Sequence, residues 1–343
     1  MRRLSIFAIL LMLVFGGLWL GGETLLAREL RKLSDKDPKV EIGAVSELRE
    51  LRRIGVHLGD IDIQTSAGLL SLPATELWLS PLHLTEGRLT LPTDAVLNTP
   101  AGPRTLGLGS ADASLRLRPL SGLTLGSLAL NSGAIAIEGT ELTKGLRLSA
   151  ELARLGHGAP LGAMAAYDID IAVDEFDPTL LAPQITLPGA VQFTAQGRVW
   201  LDGAPGPRTL EPETRPALVG FQIDAAELRL AGVSTRISGR LQADALGQAE
   251  GELSLSTRDI KPLLQAAAAA GLIPEQAVTL AETVWKKLAT RREDATESEN
   301  AGQDAGADAG NDAGPELRLP LTFAEGKIRL GPLPLGPAPL FPR

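Results

Sequence analysis

Val191-Gln-Phe-Thr-Ala-Gln-Gly-Arg-Val-Trp-Leu201 places an apolar or small residue at every odd position: Val191, Phe193, Ala195, Gly197, Val199 and Leu201. Successive side chains of a strand point to opposite faces, so this run reads as a β-strand with one half-buried face. The same period extends in both directions. Upstream it recurs at Ile61/Ile63, Leu89/Leu91, Leu115/Leu117, Leu123/Leu125, Leu128/Leu130, Ile135/Ile137, Leu146/Leu148/Ala150/Leu152 and Ile169/Ile171/Val173. Downstream it recurs at Ile237/Leu241, Leu253/Leu255 and Leu317/Leu319/Leu321/Phe323. Gly, Pro, Ser or Asn separate most of these runs, the arrangement expected of serial antiparallel strands. Periodicity alone leaves two readings open. The apolar face is either the core of a closed sandwich or barrel, or the lining of a groove that holds an apolar ligand.

The N-terminus follows a different rule. Arg2 and Arg3 precede an uncharged run from Leu4 to Gly22, which as a helix extends roughly 28 Å, near the hydrocarbon thickness of a bilayer. It exceeds the apolar region of a secretory signal and lacks a good small-x-small cleavage site, so residues 1–24 read as a transmembrane signal-anchor in preference to a cleaved signal. Basic residues stand on both sides of it, with Arg28, Arg31 and Lys32 following, and the charge bias alone does not orient it. A long translocated domain overrides that bias, and the expected topology is a single pass in the inner membrane with the bulk of the chain in the periplasm. Leu26, Leu30 and Leu33 continue a helical stripe, so 25–53 is expected to be a helical stalk.

Composition narrows the function classes. Of the 343 residues 44% are hydrophobic but only 3% aromatic, so Leu and Ala carry the apolar load. The net charge is −8, and eight acidic residues with no basic one fall between Glu293 and Glu316; elsewhere acids and bases balance. With neither a basic surplus nor an aromatic stacking set, nucleic acid is not an expected partner. The absence of cysteine excludes disulfides, thiolate metal sites and cysteine nucleophiles, and fits a periplasmic domain.

The remaining organisation follows from local signals. Residues 54–258 form the antiparallel β domain. Residues 259–292 are expected to hold two helices, Asp259–Ala270 stopped by Gly271 and a second opened by Pro274, with Val278, Ala281, Trp285 and Leu288 as its apolar stripe. Residues 293–315 read as a disordered acidic linker containing three Asp-Ala-Gly repeats, without the ligand spacing of a calcium loop. Residues 316–343 are expected to supply final strands that return to the sheet, then a Pro-rich tail unable to continue a strand.

No constellation in the chain demands catalysis. His57, His83 and His157 stand apart without a second ligand at metal spacing. There is no nucleophile elbow and no Walker loop, and Gly156-His157-Gly158 opens no helix of a βαβ unit. Asp168, Asp170 and Asp174 alternate with Ile169, Ile171 and Val173 and, with Glu175 and Asp177, read as a solvated outer face rather than an acid–base pair. No cofactor is expected.

Three stretches carry a family resemblance: Ala249–Ser256 (AEGELSLS), the segment Ile260–Gly271, and Leu319–Pro339 (LPLTFAEGKIRLGPLPLGPAP), the last being the most specific. They resemble an uncharacterised alphaproteobacterial family, the domain of unknown function numbered twenty-one twenty-five. More loosely the chain resembles the AsmA-like envelope proteins, which implies a bent, groove-forming sheet behind a single anchor and a role in handling lipids between membranes. The family supplies no catalytic residues. The expected fold is therefore mainly β, a large curved antiparallel sheet forming a groove or half-open barrel. The expected function is non-enzymatic: a phospholipid or other amphiphile held on face residues such as Val191, Phe193, Val199, Leu201, Leu253 and Leu255. An envelope scaffold or adaptor that binds other proteins, with a closed core and no lipid, is the alternative.

Overall fold

The computed structural model describes residues 40–49, 53–65, 68–80, 83–180, 189–206, 214–230, 232–259, 317–330 and 333–341, with a few single positions between them. Among the described residues nineteen strands belong to one antiparallel sheet. The chain divides into two compact units, the first comprising residues up to Phe176 with Thr194–Phe221, the second Asp177–Phe193 with Gln222–Phe341.

Unit 1 holds β1 (Val40–Arg49), β2 (Ile54–Gln64), β3 (Leu69–Ser80), β4 (His83–Thr90), β5 (Asp94–Thr99), β6 (Gly102–Gly107) and β7 (Asp112–Arg118). It continues through β8 (Thr124–Ser132), β9 (Ile135–Ile137), β10 (Thr140–Thr143), β11 (Gly145–Ala153), β12 (Ala165–Phe176) and most of β13 (Val191–Leu201), from Thr194 onward. Its topology is simpler than the count suggests. Both β4 and β5 pair with β3, β7 and β6 pair with β4 and β5 in turn, and β8 and β9 then pair with β7 and β6. Strands β11 and β10 complete the series on β8 and β9. Each such pair is one long strand broken once, and the whole is an up-and-down meander.

The breaks line up. Leu91 N donates to Ala111 O (2.9 Å), Leu108 N to Thr93 O (2.7 Å), Gly133 N to Gly109 O (2.7 Å) and Lys144 N to Asp174 O (2.9 Å), so backbone bonds bridge the interruption from strand to strand. Non-glycine residues with positive φ mark the same line: Asp60 at 51°, Ser110 at 54° and Glu175 at 46°. Each is an uncommon conformation for an L-residue and re-phases the side-chain alternation, as a β-bulge does. Strand β2 buries Val56 and Leu58 before Asp60 but Ile61 after it, and β3 buries Leu72 and then Leu77 and Leu79. A one-residue shift of phase would otherwise turn the apolar set outward.

Behind these strands lies the core. Val56, Leu58, Leu77, Leu89, Leu115 and Leu117 are 2% exposed or less and pack as one cluster, where truncating one leucine to alanine costs about 2–5 kcal/mol. Tyr167, the chain's single tyrosine, is buried in that cluster and its hydroxyl donates to Leu125 O at 2.9 Å. Burial pushes its pKa up to about 12. An unfolded tyrosine ionises near 10, so the stability this residue contributes is complete below about pH 10 and is lost as pH rises toward about 12, on the order of 2 kcal/mol in all. With one tyrosine present, phenolate absorbance should rise in the native protein with a midpoint near 12. A midpoint near 10.0, the ordinary value for tyrosine, would mean that the ring is open to water.

Unit 2 holds the start of β13 up to Phe193, most of β14 (Leu218–Leu230), then β15 (Val233–Ala243), β16 (Ala249–Thr257), β17 (Leu317–Ala324), β18 (Lys327–Leu330) and β19 (Leu333–Pro337). Strands β15 to β19 pair in chain order, so β17 lies along β16 although 59 residues separate them in sequence (Thr257 to Leu317 is a step of 60).

Two expectations need correction. Val40–Arg49, inside the expected helical stalk, is strand β1, matched to β2 from Val40↔Ile63 to Arg49↔Ile54. Its inward residues Ile42, Val45 and Leu48 come at a spacing of three, which reads as a helical stripe, but the backbone pairing to β2 decides. The Pro-rich tail does contain a strand: β19 carries Pro334 and Pro337 and pairs with β18 through a register shift between Ile328 and Arg329, an irregular site that tolerates a residue without an N–H. The expected signal-anchor at 1–24 and linker at 293–315 lie outside the described residues, as do most of 259–292. Among the described residues no helix is long and apolar enough to cross a membrane.

Candidate functional site

The six residues expected to line a groove fall into different surroundings. Val199 and Leu201 belong to unit 1, where both pack against its buried cluster while their neighbour Trp200 is 2% exposed. Val191 and Phe193 lie on the part of β13 assigned to unit 2 and are half-buried. Leu253 and Leu255 sit at the centre of β16, also half-buried. The structure thus brings Leu253 and Leu255 together, and it makes Val199 and Leu201 part of a core.

Around Leu253 and Leu255 the register builds a continuous apolar surface. Leu255 stands opposite Ile237 on β15 and Leu319 on β17. Leu253 stands opposite Gly239 and Leu321, and Leu321 in turn faces Leu330 on β18. The next row is Leu241, Gly251, Phe323 and Ile328. Directly paired residues share a face. The intervening residues, Arg236, Ser238 and Arg240 on β15, Ser254 and Glu252 on β16, and Arg318 and Thr322 on β17, form the other face. Sequence reasoning placed Ile237 and Leu321 on strands but not on this surface, because the β16–β17 pairing spans the acidic linker and local spacing cannot show it.

Two glycines shape the surface. Gly239 and Gly251 have φ of 135° and 137° and lie symmetrically about the Arg240↔Glu252 pair. A Cβ on Gly239 would stand 2.3 Å from Glu252 O, and one on Gly251 would stand 2.3 Å from Arg240 O. Both the conformation and the approach of the neighbouring backbone require glycine.

The polar candidates gather no chemistry. Asp168 is exposed and accepts from Arg198 Nε at 2.7 Å, and Asp170 accepts from Gln196 Nε2 at 2.8 Å. His57 Nδ1 lies 3.5 Å from Glu76 Oε1, while Glu76 also pairs with Arg53 at 3.0 Å. Among the described residues no three His, Asp or Glu side chains are placed to hold a metal ion. A concavity of about 420 Å³ in unit 1 is lined by Asp60, Asp62, Asp94, Leu72, Pro73 and Val96 along the line of strand breaks. Another of about 480 Å³ in unit 2 is lined by Arg229, Arg236, Arg258, Glu227 and Ser234. There the Ser234 hydroxyl donates to Glu227 at 2.6 Å and Arg229 at 2.9 Å, and together they hold its carboxyl below the usual range. Neither concavity includes any of the six expected residues.

Fold and surface define a mainly β protein whose unit 2 carries an apolar face on β15–β18. The family model described as an uncharacterised protein conserved in bacteria, DUF2125, matches residues 52–339, and the chain belongs to that family. No curated protein and no solved structure matches the chain.

Proposed function

We propose that this chain is a non-enzymatic protein, anchored in the inner membrane with its bulk in the periplasm, that holds a lipid or other amphiphile for envelope lipid homeostasis or transport. In this reading the sheet is curved, AsmA-like, and the ligand lies on the apolar face of unit 2. One observation carries it. Ile237, Leu253, Leu255, Leu321 and Ile328 share one face of β15–β18 with the buried Leu241, Leu319, Phe323 and Leu330, yet each of the first five stays only partly buried. Contiguous apolar surface left partly open to water marks a binding site more often than an unfinished core. At ~25 cal/mol per Å², covering ~200 Å² of acyl chain yields ~5 kcal/mol, enough for retention through purification.

The scaffold reading draws on unit 1, whose apolar interior is filled by its own side chains, Val199 and Leu201 among them. Mass spectrometry of an organic extract from purified protein separates the two. A phospholipid or other amphiphile at near-stoichiometric amount is the expected result. Stable protein that yields none would favour the scaffold.

A further inference from the structure

Four of the large apolar side chains that stand exposed lie in two loops of unit 1. Leu120 is 104% exposed in Pro119–Leu123, between β7 and β8; Leu161 (100%), Met164 (72%) and Leu155 (36%) lie in Arg154–Met164, between β11 and β12. Strand register puts both loops at one end of the unit. Ser127↔Glu151 aligns the start of β8 with the close of β11. The stretch after β13 joins them, since Met164 N donates to Leu201 O at 2.8 Å and Leu125 N to Pro205 O at 2.7 Å. A 3-10 turn, Pro119–Ser121, closed by Gly122 at φ 72°, holds Leu120 outward.

Leu120 and Leu161 contribute little to the fold, because side chains so exposed touch almost none of it. The loops themselves carry only cations: neither contains an acidic residue, exposed Arg118 and Arg154 flank the apolar tips, and His157 lies in the second loop, although exposed Glu151 and Asp202 stand at the same end. Strand β1 enters the unit at the opposite end, where Val40 pairs with Ile63. Apolar tips flanked by two arginines match the interface of an anionic bilayer, whose acyl boundary takes the leucines and whose phosphates take the guanidinium groups.

We propose that this end of unit 1 docks on an anionic lipid bilayer, with Leu120, Leu161 and Met164 entering the acyl boundary and Arg118 and Arg154 meeting lipid phosphates. The proposal does not need the ligand face of unit 2, and an empty organic extract would leave it standing.

The chain has no cysteine, so Ser121→Cys gives a single attachment point for an environment-sensitive fluorophore at the tip, and Asn98→Cys gives one at the opposite end. Full-length protein would be reconstituted in phosphatidylcholine vesicles with and without phosphatidylglycerol, with nitroxide lipid either in those vesicles or in added ones. We expect quenching at position 121 that depends on phosphatidylglycerol, little at 98, and a loss of roughly tenfold or more when Leu120, Leu161 and Met164 are changed to serine. Either location of the quencher supports bilayer docking and tells which bilayer is met. Equal signals at 121 and 98, or quenching untouched by the triple substitution, would overturn the proposal. A tip shielded by added protein but never by lipid would overturn it in favour of a protein partner.

Discussion

Replacing Gly251 with valine is expected to abolish the folding of unit 2, a cost of at least about 3 kcal/mol. Two penalties coincide at this residue. Its φ of 137° lies where side-chain-bearing residues are almost never found, and a Cβ would sit 2.3 Å from the carbonyl oxygen of Arg240 on the adjacent strand. The obstacle is backbone, so no rotamer change relieves it; β15 would have to leave β16. Leu241↔Gly251 and Gly239↔Leu253 would then separate, and with them the centre of the apolar face. Alanine should be milder than valine but still strongly destabilising, because the strained φ is common to both. Thermal unfolding followed by circular dichroism measures the loss. A valine variant that melts with the parent protein would show that the two strands do not approach as described.

Why this pair was invisible in the sequence is a physical matter. Gly239 and Gly251 are two among 37 glycines, and nothing in their neighbours distinguishes a glycine needed for close approach from one in an open turn. The β class was legible because Leu115/Leu117, Ile169/Ile171/Val173 and Leu253/Leu255 repeat at the period of a pleated strand. Strand β1 was not, since Ile42, Val45 and Leu48 imitate a helical spacing and only the partner β2 reveals the strand. The aligned breaks at Asp60, Ser110 and Glu175 were also hidden: they shift the phase of alternation by one residue, which shortens the readable runs without announcing a cause. The same limit explains the loops. Leu120 and Leu161 look in sequence like any core leucine, and only their exposure separates them from Leu58 and Leu77.

The site was legible in its chemistry but not in its assembly. Period two identified Val199, Leu201, Leu253 and Leu255 as face residues, and the burial of their surroundings then divides them. This division yields the sharpest contrast between the two functional readings. Val199→Glu places a carboxylate at a partly buried position packed against the core of unit 1, and an unpaired charge against that core should destabilise it by about 3 kcal/mol, with loss of the cooperative transition. Leu253→Lys with Leu321→Lys changes two directly paired, partly buried residues of unit 2. Long lysine stems can lie along the surface while their ammonium groups reach water, so the melting temperature should fall by only a few degrees. Extractable lipid, however, should drop to about a tenth or less, since two charges now stand where an acyl chain would lie. The readouts separate a ligand face from a core: stability retained and lipid lost supports the proposed function. If the double lysine variant unfolds as completely as Val199→Glu, the face of β16 and β17 is itself packed core, and the lipid reading gives way to the scaffold.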